Sequence, residues 1–202
     1  MLHFDAIPDS VRNLLTLLAP APPLKDFALG GGTSLALRFG HRLSVDLDFF
    51  PETAFDPEQL THQLGIDQAT LINRAVNSLT LDAQGTKLDF LRHAYPLIAP
   101  PEIIDGIRLL SLPDVAAMKL NAIANRGAKK DFYDLSELRN HHTLTEMIQW
   151  FEEKYHNADR FTVIRSLAWF EDAEAEPDPV SLDQTDWLSV KATIRAMVNE
   201  LT

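Results

Sequence analysis

From Val45 to Phe50 apolar and acidic residues alternate, with Val45, Leu47 and Phe49 on one parity and Asp46 and Asp48 on the other. A strand sends successive side chains to opposite faces, so the pattern predicts a strand with an apolar core face and both carboxylates on the other side. Two residues of rise separate the acids by roughly 7 Å. At that spacing two full charges repel by about 2 kcal/mol if the effective dielectric is near 20, and a bound divalent cation reverses the sign. The pair is a candidate metal site. Just upstream, Gly30-Gly31-Gly32-Thr33-Ser34 predicts a turn running into a helix, with Thr33 or Ser34 as its cap and Gly40 ending it in the left-handed conformation. Such a turn lets the backbone approach a ligand closely, and a helix start directs N–H groups at an anion such as phosphate. Three glycines also make a plain tight turn, and the segment is neither a Walker A loop nor a GxGxxG fingerprint.

The surrounding chain reads as mixed α/β up to about residue 110. Residues 11–18 predict a helix ending before Pro20, and Phe27 to Leu29 a strand feeding the glycines. Residues 58–64 predict a helix, and 70–76, 79–83 and 86–91 three strands, the last two joined at Gln84-Gly85. After Pro100-Pro101 helical periodicity takes over, with Ser111 capping a helix that runs to about Arg126 and breaks at Gly127. The expected organisation is therefore 1–110 as a mixed core and 111–202 as a helical region. With no apolar run of membrane-spanning length and no signal-peptide pattern at Met1, the chain reads as cytoplasmic, without a membrane partner. The absence of cysteine excludes disulfides and thiolate chemistry.

A net charge of −11 argues against a broadly nucleic-acid-binding surface, which needs Lys and Arg to neutralise phosphates. The excess is local, however. Glu171 to Asp186 holds seven acids and no base, outside which 22 acids face 18 bases, and the stretch reads as a solvated acidic linker.

A third acid, Asp89, shares its strand pattern with Lys87, alternating with Leu88 and Phe90. A single strand acid commonly faces solvent, but three carboxylates on adjacent strands, together with triphosphate oxygens, suit the octahedral oxygen shell of Mg²⁺. Downstream, Lys119, Arg126 and Lys130 would form a cationic stripe on a continuous helix, and Asp131 and Asp134 share a face at i and i+3. The stripe suits a triphosphate, or the charges pair in a salt-bridge cluster. His41 and Arg42 suit either phosphate or Asp46. Trp150, Phe151, Trp169, Phe170 and Trp187 fall at core-like helical spacings.

These residues resemble the AbiEii/AbiGii nucleotidyltransferase toxin family of the DNA polymerase β-like superfamily. The resemblance rests on 28–50, on Lys87-Leu-Asp-Phe-Leu91, and on Leu112 to Lys119 continuing through Arg126 to Leu135; the last 65 residues carry no motif of it. It implies an α+β fold, with a nucleotidyltransferase-type mixed sheet flanked by helices and a C-terminal helical region that completes the active site. It further implies metal binding by Asp46, Asp48 and Asp89, Mg²⁺ or Mn²⁺ as cofactor, and an NTP held by Gly31, Gly32, Thr33 and Ser34. The family's Asp-x4-Lys motif falls on Asp114 and Lys119, and its Arg…Lys-Asp-x-x-Asp motif on Arg126, Lys130, Asp131 and Asp134; Lys119 joins the three acids as a catalytic candidate. The family often has Ser directly after Gly, where this chain has Thr33 and then Ser34. The implied activity is NMP transfer to an acceptor hydroxyl, with RNA such as a tRNA 3′ end as acceptor and an antitoxin as partner. A small-molecule acceptor, a metal-dependent nuclease and a non-catalytic NTP- or antitoxin-binding relative are the alternatives.

Overall fold

The computed structural model describes residues 1–66, 69–156 and 158–201. The chain divides into one unit of Met1–Ala94 with Pro101–Leu110, and another of Ser111–Thr202 with Tyr95–Pro100.

In the first unit, α1 (Asp9–Leu18), β1 (Phe27–Leu29), α2 (Gly31–Phe39), β2 (Leu47–Pro51), α3 (Pro57–Leu64), β3 (Ala69–Ala75), β4 (Ser78–Ala83), β5 (Thr86–Leu91), β6 (Glu102–Ile104) and β7 (Ile107–Leu109) follow in order. The strands make one sheet in the order β3-β4-β5-β2-β1-β7-β6. It is mixed: β2 runs parallel to β5 and β1 parallel to β7, while the other neighbours are antiparallel. Leu47, Phe49, Leu79, Leu81, Leu88 and Phe90 fill one face as core, where Phe49 stacks on Phe90 with ring centroids 5.5 Å apart. Val11, Leu15 and Leu18 of α1 belong to the same cluster.

Three expectations are revised here. The strand begins at Leu47, leaving Asp46 immediately ahead of it. The helix begins at Gly31 with Gly30 as its N-cap, so Thr33 and Ser34 are buried first-turn residues and not caps. Its end at Gly40, with φ +67, is as expected. The chain after Pro101 does not turn helical at once but forms the β6–β7 hairpin, in which β7 joins the sheet beside β1 through Leu29↔Leu109.

The second unit consists of α4 (Leu112–Asn125), α5 (Lys129–Leu138), α6 (Leu144–Lys154), α7 (Arg160–Leu167), α8 (Glu171–Glu174) and α9 (Trp187–Asn199). Ser111 caps α4, accepting from the Asp114 amide at 3.2 Å, and Thr143 with Glu146 forms a reciprocal capping box on α6. The acidic segment is no free linker. Lys129 Nζ donates to the Glu176 carbonyl at 2.6 Å and to Asp178 at 2.9 Å, while Glu174 accepts from Lys191 at 2.6 Å and from the Trp187 indole at 3.1 Å. Its charges are docked on lysines distant in sequence. Phe151 and Trp187 are core as expected, whereas Trp169 stands beyond the end of α7 and is 52% exposed.

Candidate active site

Asp48 and Asp89 face each other across the parallel β2–β5 pair, flanked in register by Leu47↔Leu88 and Phe49↔Phe90. The apolar partners pull one side of both strands into the core, and period-two alternation leaves both acids on the other side. Thr80 of β4, the antiparallel partner of Asp89, donates its hydroxyl to Asp89 Oδ1 at 2.6 Å. Lys87, two residues before Asp89 on the same strand face, donates its ammonium to Asp89 Oδ2 at 2.5 Å. Asp89 is therefore buried and held at both oxygens, not solvent-facing. The bond from Asp89 raises the Lys87 pKa above its ordinary value despite partial desolvation, helped by the charges of Asp89, Asp48 and Asp46. One ammonium thus lies in the field of all three carboxylates.

The glycine turn is shaped around Asp48. Gly31 has φ +63, and a Cβ there would stand 2.3 Å from Asp48 Oδ2, so glycine is required both by the backbone and by the carboxylate against it. The Gly30 amide donates to the Asp48 carbonyl at 2.9 Å. The Thr33 hydroxyl donates to the Asp46 carbonyl and is 2.8 Å from Ser44 Oγ, and Ser34 Oγ donates to the Gly31 carbonyl at 2.9 Å. The Thr33 hydroxyl therefore ties the turn to the acidic segment, and the Ser34 hydroxyl braces the turn itself. The first amides of α2, at Gly31, Gly32 and Thr33, are the ones a helix leaves without intrahelical acceptors.

The donors fit a hard cation. All are carboxylate oxygens, with no His among them. Among the described residues no group of three or more His, Asp or Glu side chains is placed to hold a metal ion, so Asp46, Asp48 and Asp89 do not form the expected three-carboxylate cluster; Mg²⁺ is commonly held by one or two carboxylates with water and substrate phosphates supplying the rest.

In the second unit, Lys119 Nζ lies 2.8 Å from Asp131 Oδ1 and 2.6 Å from Asp134 Oδ2, with side-chain exposures of 7%, 0% and 0%. Arg126 donates to Asp131 through Nε at 2.8 Å and through a terminal nitrogen at 3.1 Å, and its side chain is 57% exposed. Burial opposes ionisation of Asp131, but Lys119 and Arg126 outweigh it and hold the carboxyl below its usual range. Gly127 ends the continuous stripe, leaving Lys130 exposed on the next helix. Asp114 accepts from Lys154 at 2.6 Å, from Ser111 Oγ at 2.6 Å, and from the Ile98 and Ala99 amides, pinning residues 95–100 to α4 and α6. His41 and Arg42 are buried.

Sequence reading passed over Lys87 as a site residue, although its i, i+2 spacing from Asp89 on a strand was signal enough. Lys154 gave none, because its partner Asp114 lies 40 residues away.

A family model described as "Nucleotidyl transferase AbiEii toxin, Type IV TA system" matches residues 13–200. An uncharacterized protein of Aquifex aeolicus (strain VF5) is 40% identical over 158 residues, covering 75% of this chain and 77% of that protein. Among solved structures, the nucleotidyltransferase toxin MenT4 of Mycobacterium tuberculosis H37Rv matches with a TM-score of 0.67 at 17% identity, over 96% of this chain and 82% of that one. JHP933 of Helicobacter pylori matches with a TM-score of 0.58 at 16% identity, over 96% and 94%. At these identities the likeness to the solved structures is one of fold.

Proposed function

Because this chain belongs to the AbiEii nucleotidyltransferase toxin family, we propose that it transfers a nucleoside monophosphate from an NTP to an RNA hydroxyl, such as a tRNA 3′ end. In this reading it acts in the cytoplasm as the toxin of a toxin–antitoxin or abortive-infection system, with a cognate antitoxin as partner. The observation that carries the chemistry is the register pairing of Asp48 with Asp89 beside the glycine-started helix α2.

Asp46 and Asp48 are the residues that would hold Mg²⁺ or Mn²⁺, with Asp89 alongside. Such an ion supplies charge neutralisation on the triphosphate. Asp89 accepts the proton of the acceptor hydroxyl, and its Thr80 and Lys87 partners fix the carboxylate so that little reorganisation accompanies the transfer. The freed oxygen forms a bond to the α-phosphorus, the bond from that phosphorus to the leaving pyrophosphate breaks, and the nucleotide remains esterified to the acceptor. Gly31, Gly32, Thr33 and Ser34 form the phosphate segment: the backbone amides of the first turn face the anion, the Thr33 hydroxyl keeps that turn in register with Asp46, and the Ser34 hydroxyl braces it through the Gly31 carbonyl. Arg126 and Lys130, exposed in the second unit, are the cations that the family motif makes available to a phosphate. Lys119, Asp131 and Asp134 form the buried ion network that orients Arg126, a positioning part and not a contact.

The test is incubation of the purified protein with Mg²⁺, each α-labelled NTP and total tRNA, beside Asp46→Asn. Label on RNA with at least one NTP, lost in the variant, is expected. No label with any NTP would overturn RNA transfer, and equal labelling by Asp46→Asn would move the chemistry away from these acids.

A further inference from the structure

The second unit contains a cavity of about 450 Å³ where the end of α4 meets α7 and α8. Its wall carries two guanidinium groups, Arg126 and Arg165, one indole, Trp169, and the polar side chains of Asn125, Ser166 and Asp172. This composition differs from that of a core void. Trp169 is half exposed at the rim, leaving much of a large apolar ring in water. Arg126 is held in one plane by its two bonds to Asp131, so its ordering cost is already met before any ligand arrives. Arg165 is exposed in the last turn of α7, two residues before its final Leu167, and Trp169 follows two residues beyond that end. Arg126 shares its charge with Asp131, and Arg165 adds a second guanidinium to a wall with one lining carboxylate, Asp172.

We infer that this cavity is a nucleotide-unit subsite, with a phosphate between Arg126 and Arg165 and a base against the Trp169 ring. A planar guanidinium matches phosphate oxygens, an exposed indole offers a face for stacking on any base, and the two together characterise single-strand binding surfaces. The Asn125 amide already donates to Asn121 and the Ser166 hydroxyl to the Thr162 carbonyl, so Asn125 Oδ1, Ser166 Oγ and the Asp172 carboxylate offer acceptors to a base N–H or a ribose hydroxyl. The inference deepens the transferase reading by giving an acceptor strand a contact outside the three acids, and it rests on that reading for the strand being the acceptor.

The experiment measures binding without turnover, using the full chain in EDTA. The probes are fluorescein-labelled decaadenylate, followed by anisotropy, and AMP, followed as its competitor. Trp169→Ala and Arg165→Glu should each weaken decaadenylate binding roughly ten-fold or more, Trp169→Phe should retain most of it, and Arg165→Glu should flatten the salt dependence by about one phosphate contact. Both substituted residues are exposed, so unchanged circular dichroism should accompany the loss. Displacement of the strand by AMP identifies a free-nucleotide pocket, and resistance to AMP a polynucleotide track; both support a nucleotide-unit subsite. Wild-type affinity in Trp169→Ala and Arg165→Glu overturns the inference, as does failure of the wild type to bind either probe. If no labelled NTP is transferred yet Trp169→Ala still loses the strand, the transfer reading falls while the cavity stands.

Discussion

Replacing Lys119 by Met should destabilise the second unit before it says anything about catalysis. The ammonium serves two carboxylates at 2.6 and 2.8 Å, and all three side chains are almost wholly buried. Removing one partner of a buried ion pair typically costs 3–5 kcal/mol, because the remaining charge keeps its desolvation penalty without its counterion. Arg126 still compensates Asp131, so the lower end, about 3 kcal/mol, applies. For a chain of this size that corresponds to a fall in Tm of roughly 6–12 °C, measurable by circular dichroism. A Lys119→Met, Asp134→Asn double variant should recover part of the loss, since it removes a buried carboxylate that Lys119 would otherwise have served. Should Lys119→Met melt with the wild type, and the double variant recover nothing, the network is not structural and Lys119 returns to the list of phosphate contacts.

The depressed Asp131 carboxyl carries a sign: the folded state binds its proton less readily, so its stabilisation is complete above pH ~4 and is lost as pH falls through the lower folded value. Acid unfolding followed by fluorescence should therefore flatten below pH ~4 in Asp131→Asn. At Gly31, substitution by Ala meets both a left-handed backbone, at about 1–2 kcal/mol, and Asp48 Oδ2, so NMP transfer should fall more than ten-fold with the circular dichroism spectrum retained; full activity would separate Asp48 from the turn. Lys87→Met should tighten Mn²⁺ binding, read by electron paramagnetic resonance without substrate, by about five-fold, the equivalent of ~1 kcal/mol of relieved repulsion at a half-exposed site. Lys87→Arg should leave it near wild type, and unchanged affinity in the Met variant would exclude the ammonium as a competitor for the cation.

Local pattern carried much of the architecture. The parity of Leu47 to Phe50 and of Lys87 to Phe90 fixed which faces Asp48 and Asp89 would occupy, whereas Val45, expected on the core face, lies ahead of the strand and is 51% exposed; Gly40 and Ser111 marked helix ends by chemistry that acts within a few residues. What escaped depended on distance along the chain. β7 lies beside β1 through a pairing between Leu29 and Leu109, residues so far apart in sequence that no local pattern signals it. The acidic stretch looked solvated because its lysine partners, Lys129 and Lys191, lie outside it. The Thr33 and Ser34 hydroxyls resembled caps, but Gly30 took that position and freed them to bond the acidic segment and the turn itself. Trp169 looked like core because helical spacing cannot say where a helix stops.

The parallel pairing of β2 with β5 writes two requirements into one alignment. Sliding either strand by a single residue would drive its carboxylate into the oily interior and turn Leu88 or Leu47 to the face that now carries the acids. Errors of that kind therefore cannot accumulate silently: a protein that had lost the alignment on which the proposed chemistry depends would already have failed to fold.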